Sequence, residues 1–193
     1  MNTLYPIFLK TENFNILIIG GGKVALEKIT FLLKSSPNAS VTIVANEFSE
    51  EIKTFVSKYI SINILEKKFE EVDVENKQLV IAATNDKELN EQIYQVAKQK
   101  NILINVADTP ELCDFYMGSI VTKGDLKIAI STNGKSPTVA KRLRQLFEAV
   151  LPDTLDELLQ NLQTYRQQLK GNFEEKVTTL NQLTASLINK NRH

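Results

Sequence analysis

Tryptophan is absent from this chain, and cysteine and histidine occur once each, as Cys113 and His193. A lone cysteine closes no internal disulfide, which fits a reducing compartment and makes a cytoplasmic location the expectation. The lone histidine is the last residue, so histidine is excluded as an interior general base or metal ligand, and no metal site is expected. A surplus of charge is missing too, since 23 basic residues stand against 23 acidic ones. Nothing therefore draws the whole chain toward nucleic acid or an anionic membrane. No apolar run reaches the roughly 18 residues of a membrane span. Residues 1–10 lack the basic start and long apolar stretch of a signal peptide. Internal repeats and low-complexity segments are also lacking. What remains is an ordinary globular composition, 42% hydrophobic over 193 residues, enough for one large domain or a standard domain with a small companion.

Glycine is scarce, seven in the chain, yet three stand together as Gly20, Gly21 and Gly22. They follow Asn15-Ile16-Leu17-Ile18-Ile19, a short apolar run rich in β-branched residues, and precede a helical pattern. This is the signature of the first turn of a nucleotide-binding βαβ unit, with Gly20, Gly22 and Ala25 in the three positions of G-x-G-x-x-G/A. Gly20 permits the tight turn, Gly22 lets the backbone approach a pyrophosphate, and Ala25 lets the helix pack close on the strand. Free N–H groups at the helix start then hold the phosphates. Glycine runs also make ordinary turns, but the position directly after a strand favours a dinucleotide site.

Alternation of strand and helix patterns continues to residue 106. Strands are expected at 14–19, 40–45, 60–65, 78–83 and 102–106, and helices at 24–34, 50–58 and 87–100. Such alternation predicts a parallel sheet covered by helices on both faces, an α/β NAD-binding Rossmann domain over residues 1–112. Residues 66–76 show no clear period and are expected to loop around a short turn. After Asp108 the character changes. Segments 119–122 and 127–131 alternate apolar and polar residues around Lys123-Gly124-Asp125, which predicts a hairpin. Ser136-Pro137 supplies an N-cap and a proline at the first position of a helix running to Val150. This small α+β segment, 113–150, is followed by C-terminal helices over 151–193. Leu151-Pro152-Asp153 breaks the pattern, and a second helix carries Leu155, Leu158, Leu159, Leu162 and Leu169. Gly171-Asn172 ends it, and a third carries Phe173, Val177, Leu180, Leu183, Leu187 and Ile188. These helices are too few to bury their apolar faces unaided, so they are expected to pack on one another, on the first domain or on a second subunit.

Three strand ends carry the candidate site. The second strand ends Val44-Ala45-Asn46-Glu47, where a nicotinamide-binding unit places an acid on the ribose hydroxyls. Asn46 and Glu47 are therefore ribose candidates, the alternative being that they merely open the next helix. No arginine stands there to pair with a 2′-phosphate, which favours NAD over NADP. The fourth strand ends Ala82-Ala83-Thr84-Asn85-Asp86. Its small residues leave room for a ligand, so Thr84 and Asn85 are expected to face the cofactor, while Asn85 or Asp86 also suits the N-cap of the next helix. The fifth delivers Asn105-Val106-Ala107-Asp108 to the same edge. A carboxylate at Asp108 would lie near the nicotinamide, where apolar walls would suit it to moving protons. Asp before Thr-Pro is equally at home in a plain turn.

These residues together resemble a known family. The resemblance is carried by Tyr5-Pro6-Ile7-Phe8-Leu9, the Gly20–Lys28 stretch, Ala82-Ala83-Thr84-Asn85-Asp86, Asn105-Val106-Ala107-Asp108 and Pro110-Glu111-Leu112-Cys113-Asp114-Phe115. Ala129-Ile130-Ser131-Thr132-Asn133-Gly134-Lys135-Ser136-Pro137, running into Ala140-Lys141-Arg142-Leu143-Arg144, completes it. In order over about residues 4 to 150, they are similar to the precorrin-2 dehydrogenase family, whose members include the N-terminal part of the multifunctional sirohaem synthase. The final helices fit less specifically. The resemblance implies NAD-dependent oxidation of precorrin-2 to sirohydrochlorin, a homodimer built on the segment after the Rossmann domain, and cofactor contacts at Gly22, Lys23, Val24, Asn46 and Glu47. It implies a catalytic role for Asp108, here a general base or a group that steers the macrocycle's pyrrole nitrogens, and a tetrapyrrole-binding loop of Ser131, Thr132, Asn133, Gly134, Lys135 and Ser136. Some members also insert ferrous iron with no dedicated metal cage. Two positions depart: relatives carry Gly-Gly at Asn133-Gly134 and proline at Gly118, and neither change removes a reactive group. A chain of 193 residues is expected to lack the methyltransferase fused in multifunctional members.

The substrate is a polycarboxylate, and the chain offers a local basic run to meet it. Lys123, Lys127, Lys135, Lys141, Arg142 and Arg144 stand against the single acid Asp125. The alternative is a solvated helix face for about half of them. Phe115, Tyr116 and Met117 are candidates for apolar contact with the macrocycle or for core. Cys113, without a histidine partner, is expected to be structural or incidental. Two further readings stand beside the dehydrogenase: a bifunctional dehydrogenase and ferrochelatase, and a non-catalytic NAD-sensing module. The sensor leaves the basic run and the motifs from Asp108 to Ser136 without a purpose.

Overall fold

A computed structural model describes residues 2–185 of the chain, so the expected helical positions Leu187 and Ile188, and His193, lie outside the described residues. Two compact units are described, the first running to Gly118 with Ser131–Ser136 added, the second comprising Ser119–Ile130 and the helices from Pro137 onward.

The first unit is organised by its most apolar segment. Strand β1 (Asn15–Ile19) carries four buried residues in succession rather than an alternating pattern, as a central parallel strand with both faces covered requires. β2 (Ser40–Ala45) lies on one side of it and β4 (Leu79–Ala82) on the other, with β3 (Ile62–Glu66) and β5 (Leu103–Val106) outside them. All pairings are parallel and the order is β3-β2-β1-β4-β5, the half-sheet of a Rossmann fold. The register sets the shape of the carboxyl edge. Ile19 stands opposite both Val44 and Ala82, so β1 and β4 end level and β2 runs one residue further.

Helices α1 (Lys23–Ser35) and α2 (Glu50–Val56) cover one face, and α3 (Lys87–Gln99) the other. Ala25, Ile29 and Leu33 recur at helical spacing and pack with Ile52 and Val56 on Ile16, Ile18, Ile43 and Ile81. Ile93, Val96 and Ala97 pack on Leu17, Ile19, Val80 and Ile104. Each fully buried aliphatic side chain here contributes about 1.5–3 kcal/mol of transfer free energy.

The boundaries differ from expectation mainly around β3. Ile60 is fully exposed and Tyr59 N–H closes a turn on the Val56 carbonyl, so α2 ends early and β3 begins at Ile62. The loop expected over 66–76 holds a short 3₁₀ turn, Glu71–Val74, closed by reciprocal bonds between Glu70 and Asp73. The outer edge of β5 does not stay open. Asp114 N–H donates to the Ile104 carbonyl at 2.8 Å, its carboxylate accepts from Ile104 N–H and from Lys98 Nζ, and Asn105 Nδ2 donates to the Phe115 carbonyl. Residues 113–115 thereby cap an edge that would otherwise pair with another chain.

In the second unit, β6 (Ser119–Lys123) and β7 (Leu126–Ile130) form the expected antiparallel hairpin, turning at Gly124 with φ +53°. Helix α4 (Pro137–Val150) packs on this ribbon through Ala140, its one buried residue. Helices α5 (Leu155–Gln168) and α6 (Phe173–Thr184) touch each other and bury no residue fully. A reciprocal Asn172–Glu175 cap starts α6. The acids at the α5 end hold the hairpin tip: Lys123 pairs with Asp153, and Asp125 N–H donates to Asp156 at 2.9 Å. Among the described residues no helix is long and apolar enough to cross a membrane.

Candidate functional site

The sheet order reverses beside β1, and ligands of open α/β sheets settle at the carboxyl edge of such a point. A cleft of about 730 Å³ opens there, lined by the turns after β1, β2 and β4. It brings together all eight cofactor candidates: Gly20, Gly22, Lys23, Val24, Asn46, Glu47, Thr84 and Asn85.

The three glycines do three different things. Gly20 has φ +132°, and a Cβ there would lie 2.3 Å from the Ala83 carbonyl oxygen, so it serves the turn and the close approach of β1 to β4. Gly21, which the G-x-G-x-x-G/A spacing leaves undefined, is held as tightly. Its Cβ would lie 1.9 Å from the Glu47 carbonyl oxygen, and its own carbonyl accepts from Ser49 N–H. Gly22 is the opposite case, since a Cβ there would meet nothing within 4 Å. It is the N-cap of α1 and has no side-chain cap. The first-turn N–H groups of α1 lack intrahelical partners by geometry, and they stand with Lys23 on the cleft lining.

At the β2 end Asn46 and Glu47 are exposed, and Ser49 is the residue that caps α2, accepting from Ile52 N–H at 3.4 Å. The helix-opening alternative for Asn46 and Glu47 thus falls to their neighbour. At the β4 end Asp86 caps α3, accepting from Glu88 and Leu89 N–H, which leaves Asn85 uncommitted on the cleft wall. Thr84 is fixed from behind: its hydroxyl donates to Asn90 Oδ1 at 2.7 Å, and Asn90 Nδ2 donates back to the Thr84 carbonyl. Phe69 and Leu89 complete the lining as an apolar wall. Phe69 sits in the aperiodic 66–76 stretch, where no sequence signal marked it.

Asp108 stands apart. It lies in the turn after β5 with φ +58°, is exposed, and does not line the cleft. The apolar walls expected around it are absent among the described residues, because the left-handed turn carries it off the sheet edge into solvent. Behind that turn, Cys113 is half-buried, and burial pushes its thiol up from the ordinary range.

The loop of Ser131, Thr132, Asn133, Gly134, Lys135 and Ser136 is also outside the cleft lining. It is internally ordered. Asn133 and Gly134 are both left-handed, at φ +54° and +75°, and Lys135 N–H closes the turn on the Thr132 carbonyl. Thr132 Oγ1 accepts from Ser136 N–H and donates to its carbonyl, both at 3.1 Å. Asparagine tolerates the left-handed position better than most residues, so the departure from Gly-Gly keeps the turn. The basic run is thinner than its sequence suggests. Lys123 is paired with Asp153 and Arg144 with Glu148, leaving Lys135, Lys141 and Arg142 without an acidic partner among the described residues. Phe115 and Met117 pack against the sheet core, whereas Tyr116 is exposed.

Comparison with known proteins places these features. Residues 7–119 match the family model described as "Putative NAD(P)-binding", and residues 123–149 the one described as "Sirohaem biosynthesis protein central". The chain is 36% identical over 165 residues to the siroheme synthase of Nitrosococcus oceani, covering 86% of this chain and 35% of that protein. It is 41% identical over 166 residues to the siroheme synthase of Psychromonas ingrahamii, covering 86% and 34%. The chain spans about a third of the length of these curated relatives. Among solved structures it resembles SirC, precorrin-2 dehydrogenase, with a TM-score of 0.72 and 26% identity, covering 93% of this chain and 89% of that one. These likenesses agree with the resemblance carried by the motifs.

Proposed function

The chain belongs to the NAD(P)-binding family matched by residues 7–119, and from that premise we propose that it oxidises precorrin-2 to sirohydrochlorin with NAD. The observation that carries this reading is the cleft itself. An uncapped helix start and a Gly22 facing open space stand at the topological switch point, which fits a pyrophosphate against the backbone of Gly22, Lys23 and Val24. Asn46 and Glu47 would bond the ribose hydroxyls. The Glu47 carboxylate, with no arginine beside it, would repel a 2′-phosphate, which supports NAD over NADP. Thr84, locked by Asn90, and the uncommitted Asn85 would bound the inner end of the cleft.

When bound, NAD supplies the hydride acceptor. The chain's own task is then placement and the proton. Asp108 accepts the proton released as the ring carbon gives up its hydride to NAD, so two electrons and two protons leave the macrocycle in all, one proton within the hydride and one on the carboxylate. The ordered loop of Ser131, Thr132, Asn133, Gly134, Lys135 and Ser136 offers hydroxyls, amides and a free ammonium to substrate carboxylates. A homodimer is part of the proposal. Val139, Leu143, Leu146 and Val150 form an exposed apolar stripe along α4, 36–63% accessible, which supports burial against a second copy. The lone Cys113, which closes no internal disulfide, supports a cytoplasmic location.

The test is an anaerobic assay of the purified chain with precorrin-2 and NAD, following sirohydrochlorin absorbance, run beside Asp108→Ala. Wild-type turnover, with a 10²–10⁴-fold loss in the variant at unchanged NAD affinity, is the expected result. Turnover retained in the variant returns Asp108 to a turn residue. NAD binding without turnover in either protein sinks the dehydrogenase and favours a sensor.

A further inference from the structure

Two local costs lie within four residues of one another at the β5 carboxyl end. Asp108 is held left-handed, a conformation few side-chain-bearing residues adopt. Asn105, only 5% exposed, has a carbonyl oxygen with no hydrogen-bond partner, and it is the one such buried side-chain atom among the described residues. Its amide cannot turn over to relieve this. Nδ2 donates to the Phe115 carbonyl at 2.8 Å and to Cys113 Sγ at 3.4 Å, and a flip would set oxygen against oxygen. Costs of this kind persist where the surroundings over-determine them, and they gather at working sites.

The over-determining group is Cys113. Its sulfur accepts from Val106 N–H at 3.3 Å and from Asn105 Nδ2, and it faces the Val106 and Thr109 carbonyls at 3.2 and 3.3 Å as a donor. One atom thus ties both ends of the turn that carries Asp108. Thr109 N–H to the Val106 carbonyl, and Ala107 N–H to the Ala82 carbonyl, complete the frame. Burial keeps the thiol protonated, so the S–H donor persists through the neutral range. A hydrophobic residue of the same size would fill the space yet leave the Val106 N–H without its partner, while the two carbonyls would keep only Thr109 and Leu112 N–H.

We infer that Cys113, oriented by Asn105, is the positioning residue that holds the Asp108 turn in its left-handed form. This rests on Asp108 acting in the proposed oxidation. It makes the cysteine a hydrogen-bonding part of the site rather than filler or a nucleophile.

The experiment compares wild type, Cys113→Ala, Cys113→Ser and Asp108→Ala in the precorrin-2 and NAD assay, with thermal melts and amide exchange at Thr109 on each protein. Cys113→Ala is expected to lower kcat at least tenfold, with the KM for NAD within twofold, because the cleft is built from other strands. Its Thr109 amide should exchange faster. Cys113→Ser keeps a hydroxyl donor and should recover most of the rate and the protection. Wild-type kcat in Cys113→Ala, serine no better than alanine, or kcat and NAD KM failing together with the melt, each overturns the positioning role while leaving the dehydrogenase standing. Absence of turnover in the wild type, or full turnover in Asp108→Ala, overturns the role together with the reading beneath it.

Discussion

A single added methyl group separates the functions of neighbouring glycines. In Gly21→Ala the new Cβ collides with the Glu47 carbonyl, and the backbone must move at a cost of about 1–3 kcal/mol, measurable by urea denaturation. In Gly22→Ala it meets nothing within the protein, so stability should change by less than about 0.5 kcal/mol. The methyl would instead project where the pyrophosphate is proposed to lie, and NAD affinity should fall at least tenfold by calorimetry. If Gly22→Ala binds NAD normally, the cleft is not used as proposed. Cys113 gives a pH test. Its thiol is raised in the folded state above the ordinary value of 9.0, so the fold keeps a proton that the unfolded chain loses. The resulting contribution is full below about pH 9 and disappears as pH rises through the folded value. Between pH 8 and 10 the urea midpoint of wild type should therefore drop further than that of Cys113→Ala. At this scale the turn at Gly20 was legible, because the glycine spacing encodes it, and Gly22 stands on the cleft where that spacing puts it. Gly21 was not, since its constraint is the carbonyl of a residue 26 positions away.

Elements were readable where their burial is uniform. β1 and β4 are continuous apolar runs because both faces are covered, and α3 shows a helical stripe behind an Asp86 cap. Asp86→Ala should cost about 1 kcal/mol in thermal or chemical denaturation, from the loss of two capped N–H groups. β3 was misplaced by two residues because it is an edge strand, half-exposed, where apolar residues need not mark the strand. The edge cover of β5 left no periodic signal either. Asp114→Ala should remove its bonds to Ile104 N–H and Lys98 and cost about 1–2 kcal/mol, with faster exchange of the Ile104 amide as the local readout.

Assembly belongs to the whole molecule. A two-stranded ribbon under one helix is marginal alone, and α4 leaves Val139, Leu143, Leu146 and Val150 exposed on one stripe. If that stripe is the dimer face, Leu146→Glu should shift the chain to monomer in sedimentation equilibrium while its exposed site keeps the first unit folded and NAD-binding. An unchanged mass in the variant places the interface elsewhere. The sum of charges was no guide here, because Lys123 and Arg144, two of the six basic residues of the run, pair with the acids Asp153 and Glu148 outside it.

By itself the sequence determined the sheet, its helices and the glycine turn, since each depends on spacing within a short stretch and on which faces are apolar. It also marked Asn46, Glu47, Thr84 and Asn85, because a parallel strand delivers its next residues to a known edge. Only the tertiary structure decided that β1 and β4 end level, that Gly21 and Phe69 complete the cleft, and that Cys113 ties the Asp108 turn. Those facts rest on contacts between segments far apart in the chain or on one sulfur's directional bonds, and neither leaves a period in the sequence for local physics to read.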